Sequence, residues 1–282
     1  MHILFTADEK YAGRIPTVLE SLKSSHPKEG IHIHLISDEL SEELKDFLSK
    51  ICSDLGYGFY LYRVSENAFA DAPVNKHYSK AMYYRMLAAE ILPQDIGRVL
   101  YLDPDILVIN SLLPLWGMEL EEEGCFAAAS HTTERGILDN INRLRLETSS
   151  VYFNTGILLM DLTRCRNLVR RDDIFTFIRE NEFRLILPDQ DVFNALYGKL
   201  TRQIPDEIWN YDTRKYSQYL MKSAGVFDEY WVIRNTAVLH YCGKDKPWNT
   251  SYRFSFGDLY RHYEQLSERR GIGIRKGIQS LL

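Results

Sequence analysis

The chain has 282 residues, enough for one large α/β domain or two small ones, and its 45 % hydrophobic, 26 % charged and 12 % aromatic content excludes a disordered chain. A net charge of −5 excludes a broad nucleic-acid-binding face, so a polyanionic ligand would have to be met by local cations or a metal ion. The four cysteines, Cys52, Cys125, Cys165 and Cys242, contain no CxxC pair, which points away from a zinc cluster or disulfide scaffold and toward reduced thiols in a cytoplasmic protein.

His2 to Ala7 reads as a β-run, reached without the basic, apolar and small-residue zones of an export signal. Ile15, Val18, Leu19 and Leu22 then fall at i, i+3, i+4 and i+7, the stripe of an amphipathic helix, with Pro16 in its first turn. IHIHLI (31–36) alternates like a strand. Ser41 is placed to cap a helix carrying Leu44, Phe47, Leu48 and Ile51 on one face. A third strand, FYLYRV (59–64), precedes a helix with Tyr84, Leu87, Ala88 and Ile91 that Pro93 stops, and RVLYLD (98–103) reads as a buried strand. This alternation predicts a mostly parallel sheet covered by helices on both faces, with ligands bound at the carboxyl ends of its strands.

The second half is less regular. GILLMDL (156–162) and AVLHY (237–241) read as strands, 172–180 and 190–196 as helices, and the acidic run 119–123 as a solvated turn. No apolar run approaches the roughly 18 to 20 residues that cross a bilayer. The closing segment RRGIGIRKGIQSLL (269–282) sets four basic residues among Ile272, Ile274, Ile278, Leu281 and Leu282, a composition able to rest on an anionic membrane, although its glycines weaken a helix.

Two strands end in aspartate, at Asp8 and at Asp103. In Asp103-Pro104-Asp105 two carboxylates separated by one residue of extended backbone project to the same side and can share one cation, and the proline stiffens the pair. Hard oxygen ligands of this kind suit Mg²⁺ or Mn²⁺, which keep positions open for phosphate oxygens. Near the end, His240 offers a neutral ring nitrogen, Gly243 allows close backbone approach and Lys246 supplies a point charge for a phosphate.

FTADEKYA, YYRML, VLYLDPDIL, FNTGILLMDL, PDQDVFN and HYCGKDKPW occur in this order, and on them the chain resembles the family 8 retaining glycosyltransferases of the GT-A fold, most of all the bacterial lipopolysaccharide α-galactosyl- and α-glucosyltransferases, with glycogenin more distant. The resemblance covers roughly residues 1–250. It implies one GT-A domain there, with a nucleotide-binding part (1–110) and a sugar and acceptor part (111–250), followed by a helical, basic tail (251–282). It also implies Mn²⁺, with Mg²⁺ as the other option, held by Asp103, Asp105 and His240 against the phosphates of UDP-galactose or UDP-glucose. Ala7, Asp8 and Tyr11 match the uridine cradle, Pro104, Gly243 and Lys246 the diphosphate side, and Arg85, Asn154, Thr155, Gly156, Asp189 and Gln190 the sugar pocket, with His77 at its margin. Lys10 stands where the bacterial enzymes often have Asn, and Thr155 where Ala is common.

The resemblance implies transfer of a hexose to a hydroxyl of a saccharide or glycoconjugate with retention of configuration. Negative charge then develops on the departing diphosphate and positive charge on the sugar, and Arg85, Asp189 and Gln190 are the residues nearest that step. A front-face reaction, in which the leaving phosphate helps deprotonate the acceptor and Gln190 or a backbone oxygen steadies the cation, is the favoured route, and a double displacement through Asp189 the other. A nucleotide-sugar binding module without turnover is the alternative function. The acceptor would lie on segments 131–150 and 208–232, where Trp209, Tyr211, Tyr216, Tyr219 and Trp231 are candidates for stacking on a sugar. No nucleic-acid partner is expected, and any membrane contact would be peripheral.

Overall fold

The computed structural model describes residues 1–64, 81–131 and 137–279, without the side chains of 81, 82, 138 and 272–279. Ten strands are present among these residues: β1 (His2–Thr6), β2 (His32–Ser37), β3 (Gly58–Arg63), β4 (Arg98–Leu102), β5 (Ile106–Val108), β6 (Phe126–Ala129), β7 (Ile157–Asp161), β8 (Thr201–Ile204), β9 (Tyr211–Asp212) and β10 (Val238–His240). The main sheet has the order β3-β2-β1-β4-β7-β6-β8. All its strands run one way except β7, which lies antiparallel between β4 and β6.

The strands are apolar at consecutive positions because both faces are covered. Ile3 and Phe5 pack on one side against Val18, Leu19 and Leu22 of helix Ile15–Ser25 and Leu48 and Ile51 of helix Glu42–Leu55. Leu4, Val99, Tyr101 and Leu158 pack on the other against helices Ala81–Met86, Arg171–Asn181 and Pro188–Tyr197. Ser41 caps its helix as its position predicts, its hydroxyl accepting from the Leu44 amide at 3.2 Å, and Gly56 closes it in the left-handed region at φ 79°. A small second sheet, β5-β10-β9, has its own aromatic core of Tyr211, Tyr219, Tyr241, Tyr252 and Tyr260.

Four features differ from the sequence reading. The strand at 157–161 is real but reversed, a direction that residue periodicity does not encode. The helix expected through Tyr84, Leu87 and Ile91 breaks at Leu87 into Ala81–Met86 and Ala88–Ile91. The strand at 238–240 joins the small sheet, because β5 turns away from β4 immediately after the Asp103–Asp105 turn and pairs with it. Finally β5, β6, β8 and β9 are too short, or in the case of Phe126–Ala129 too poor in β-branched residues, to be read from pattern.

The last helix, Gly257–Gln279, lies against the first long one. Arg14 pairs with Glu264 at 2.9 Å, and Arg270 bonds both Glu20 and Asp54. Gly271 does not end this helix; it sits where an added Cβ would come within 3.0 Å of the Phe47 ring, so its smallness serves close packing. The side chains of Ile272, Ile274 and Ile278, and residues Leu281 and Leu282, lie outside the described residues, as does His77. Among the described residues no helix is long and apolar enough to cross a membrane.

At the amino ends of β1 and β2 three histidines, His2, His32 and His34, stack together. His2 stacks on His32 and His34 at 4.9 and 5.1 Å, His2 Nδ1 lies 2.9 Å from His34 Nε2, and His34 Nδ1 bonds the Tyr62 hydroxyl at 3.0 Å. Burial, with His2 and His32 alongside, lowers the pKa of His34 to about 4. A ring held neutral in the fold but free to protonate when unfolded stabilises fully above about pH 6.5, and that contribution is lost as pH falls toward 4. Urea unfolding across this range should show stability falling with pH, and His34→Gln should make the slope shallower by up to one proton.

Candidate active site

β1 and β4 are neighbours, so their carboxyl ends deliver Asp8 and Asp103 to one edge of the sheet. Asp8 caps the short helix Glu9–Ala12, its Oδ1 accepting from the Tyr11 amide at 2.8 Å. Asp103 and Asp105 do converge, but through a turn at Pro104 between β4 and β5 and not along one extended strand. The same turn makes β5 pair with β10 in a register that brings His240 opposite Ile106 and beside both carboxylates.

Ligand atoms of Asp103, Asp105 and His240 all lie within 4.8 Å of one another. His240 Nε2 is 3.4 Å from Asp105 Oδ1 and 3.8 Å from Asp103 Oδ2. The remaining oxygens are engaged elsewhere. Asp103 Oδ1 accepts from the Tyr101 hydroxyl at 2.5 Å and faces Arg85 at 3.2 Å, while Asp105 Oδ2 pairs with Lys246, which also donates to the Tyr241 carbonyl at 3.0 Å. Gly156 makes the approach possible, because a Cβ there would meet Asp103 Oδ2 at 2.8 Å and overlap the His240 ring.

The charges settle one another. Burial pushes the Asp105 carboxyl up, yet His240 and Lys246 together hold it below the ordinary carboxylate range. Burial raises the Asp103 carboxyl, Arg85 pulls it back, and the adjacent Asp105 charge adds to the rise. Burial lowers the pKa of the His240 ring, yet Cys242 and Asp105 raise it above the ordinary imidazole value, so an arriving cation would displace the ring proton; two oxygens and the imidazole nitrogen then form a donor set that fits a divalent cation.

A chain of amides ties this cluster to the sugar-pocket residues. His240 Nδ1 donates to Asn210 Oδ1 at 2.8 Å, Asn210 Nδ2 donates to Asn154 Oδ1 at 2.9 Å, and Asn154 Nδ2 donates to Gln190 Oε1 at 3.1 Å. The first bond leaves Nε2 of His240 free to face the carboxylates. Asn194 clamps the Phe153 amide and carbonyl at 2.6 and 2.8 Å, which fixes helix Pro188–Tyr197 against the Asn154-Thr155-Gly156 turn. Asn210 and Tyr101 were not singled out from sequence. Asn210 is fully buried yet flanked by Trp209 and Tyr211, a polar residue in an apolar run, and that was the available signal.

A cavity of about 420 Å³ opens onto these groups and is lined by Asp103, Asp105, Asn154, Gln190, His240 and Gly243 together with His131, Tyr152, Leu187, Arg214 and Lys215. Its size is that of a small-molecule site. Arg85, Thr155 and Asp189 are not among its lining residues. Arg85 donates to the Thr155 carbonyl at 3.0 Å and faces Asp189 Oδ2 at 3.5 Å, so its ion pairs reach across elements and not along its own helix. Asp189 is the second residue of helix Pro188–Tyr197 and gives no cap bond, the cap position being Leu187. Ala7 is buried, and Tyr11 meets Trp248 edge-on at 6.2 Å, with Arg14 over the same indole at 4.6 Å. Of the five aromatic residues expected to stack on an acceptor, Tyr211 and Tyr219 lie on each other at 4.3 Å in the core of the small sheet and Trp209 is buried, whereas Trp231, stacked on Phe227 at 4.1 Å, and Tyr216 are half-buried.

Residues 2–251 match the family model described as Glycosyl transferase family 8. The chain belongs to that family. General stress protein A of Bacillus subtilis (strain 168) is 27 % identical, over 97 % of this chain and 96 % of its own length. The lipopolysaccharide 1,2-glucosyltransferase of Escherichia coli is 23 % identical, over 96 % of this chain and 80 % of its own. The fold is that of the galactosyltransferase LgtC, solved with donor and acceptor sugar analogs, at a TM-score of 0.78 over 93 % of this chain and 95 % of LgtC with 24 % identity. This family 8 protein is therefore a glycosyltransferase on a GT-A scaffold.

The amide chain makes a specific demand on this family 8 site. Asn210→Ala removes the acceptor that orients His240 and should weaken the binding of a divalent cation at Asp103, Asp105 and His240 about 10- to 100-fold, read by calorimetric titration, whereas Asn210→Asp, which keeps that acceptor, should lose less.

Proposed function

We propose that the protein transfers glucose or galactose from a UDP-sugar to a hydroxyl of a glycan or glycoconjugate, with retention of configuration and with Mn²⁺ as the bound ion. The observation that carries this reading is the buried convergence of Asp103, Asp105 and His240 on a cavity of about 420 Å³ that Asn154 and Gln190 also line. Relatives named as a lipopolysaccharide glucosyltransferase and a galactosyltransferase support a hexose and leave both sugars in play.

Asp103, Asp105 and His240 would hold the ion, which when bound supplies positive charge to the donor phosphates. Lys246, tethered to Asp105 and the Tyr241 carbonyl, adds a fixed cation at the same place. Gly243, at φ 86°, brings backbone rather than a side chain to the cavity wall. Ala7, Asp8 and Tyr11, at the end of β1, form the side assigned to the uridine, where Tyr11 is within electrostatic reach of Lys246.

Gln190 is the residue assigned to the sugar. Its amide oxygen already accepts from Asn154, so its position is set before substrate arrives, and an oxygen held in place can steady developing positive charge without reorganising. Asp189 is shielded by its pairing with Arg85 and does not line the cavity, which favours a front-face reaction over a double displacement through that carboxylate. The leaving phosphate then takes the acceptor proton.

Calorimetric titration of UDP with Mn²⁺ and then with chelator tests the donor site. Binding should require the ion and should lose its ion-dependent part in Asp105→Ala; equal binding in chelator would remove Asp103, Asp105 and His240 from the reading. Gln190→Ala should retain UDP affinity but lower kcat for a UDP-hexose by about a hundredfold or more, the scale of losing one electrostatic stabiliser. A nucleotide-sugar binding module without turnover would show no change between the two proteins.

A further inference from the structure

Beside the Asp103–Asp105–His240 cluster, and given no role in the transfer reaction, lies a second convergent set. His131, Asp212 and Cys242 present ligand atoms all within 4.8 Å of one another, and all three line the same cavity. The rings of His131 and His240 are 6.4 Å apart and the Cys242 side chain also bonds His240, so the two sets adjoin, though they have no residue in common.

Two of the three are supported in the way that bound ligands are. His131 Nε2 lies 2.6 Å from the carbonyl oxygen of Asn210; a carbonyl can only accept, so Nε2 carries the proton and Nδ1 keeps its lone pair. Asp212 is fully buried and held by Arg214 through Nε at 2.9 Å and Nη2 at 2.7 Å. Of these bonds Oδ2 accepts only one, so it retains a lone pair. An imidazole donating its far N–H to a backbone carbonyl, and a carboxylate fixed by its own hydrogen bonds, are the supports that metal ligands regularly have. Cys242 adds a buried sulfur, and Cys52, Cys125 and Cys165 are buried elsewhere and do not line this cavity.

We propose that His131, Asp212 and Cys242 form a second cation site, for a thiophilic divalent ion of the Zn²⁺ class, with its open position facing the cavity. Ligand chemistry separates it from its neighbour: sulfur and imidazole favour Zn²⁺, whereas the two carboxylates of the first set favour Mn²⁺ or Mg²⁺. Binding releases the Cys242 thiol proton to solvent. An ion here occupies the part of the cavity bounded by Arg214 and Lys215, so zinc would inhibit turnover by taking space that an acceptor needs. That consequence rests on the transfer reading; the binding itself does not. CxxC spacing could not reveal such a site, because its ligands come from three distant segments.

The test uses Co²⁺, a spectroscopic substitute for Zn²⁺, titrated into the full-length protein. A thiolate-to-cobalt charge-transfer absorption is expected, displaced by Zn²⁺, and it can come only from a sulfur ligand. It should persist in Asp105→Ala, disappear in Cys242→Ser, and in His131→Gln require about tenfold more cobalt or more, with circular dichroism showing each variant folded. No such absorption in the unmodified protein, or its survival in Cys242→Ser, would overturn the proposal. Failure of UDP to bind would instead count against the donor-site reading, so the two failures are distinguishable.

Discussion

Two carboxylates buried side by side are the constraint around which this structure is arranged. Asp103 and Asp105 are 20 % and 10 % exposed at their side chains, and an unpaired buried charge of either kind would cost several kcal/mol or more. Arg85 and Lys246 answer them one to one, from opposite directions and from distant parts of the chain. Each cation is itself anchored to backbone, Arg85 to the Thr155 carbonyl and Lys246 to the Tyr241 carbonyl. The result is a concentration of negative charge that is balanced from behind and still presents one oxygen from each carboxylate toward His240. Such a site attracts a divalent cation without having been destabilised by its own charges.

That balance depends on topology more than on local sequence. β4 must end at the same sheet edge as β1, the Pro104 turn must redirect the chain into β5, and β5 must pair with β10 for His240 to arrive. The reversed strand β7 completes the arrangement. Its first residues follow Gly156, whose carbonyl accepts from the Asp103 amide at 2.8 Å and whose missing side chain leaves room for the imidazole. Ser or Ala at 156 would therefore separate His240 from the carboxylates before altering any ligand.

The parts legible in the sequence are those carried by period and by end signals. β1 to β4 and the helices between them follow from apolar spacing, from Ser41 as a cap and from Pro16 and Pro93 as punctuation. The metal-ligand candidates were visible because Asp103 and Asp105 follow an apolar strand and because ordered motifs resemble a known family. The reversal of β7, the second sheet and the amide chain through Asn210 were not visible, since each depends on which distant strand becomes a neighbour. The aromatic residues of 208–232 misled for a related reason. Tyr211 and Tyr219 look like a sugar platform by composition, but a three-stranded sheet with few aliphatic residues needs them as its core.

The cavity lining is built by two different means. Asp103, Asp105 and His240 stand at strand termini beside a glycine that tolerates no side chain, so their geometry is inherited from the sheet. His131, Leu187, Arg214 and Lys215, which also line it, stand on turns and short helices and are held by local contacts: Lys215 donates to the His131 carbonyl at 2.6 Å, and Asp191 accepts from the Leu187 amide at 3.0 Å. Contacts of that kind can be exchanged locally without moving a strand. A scaffold so divided can keep one geometry at the strand ends while the side chains on the turns and short helices change.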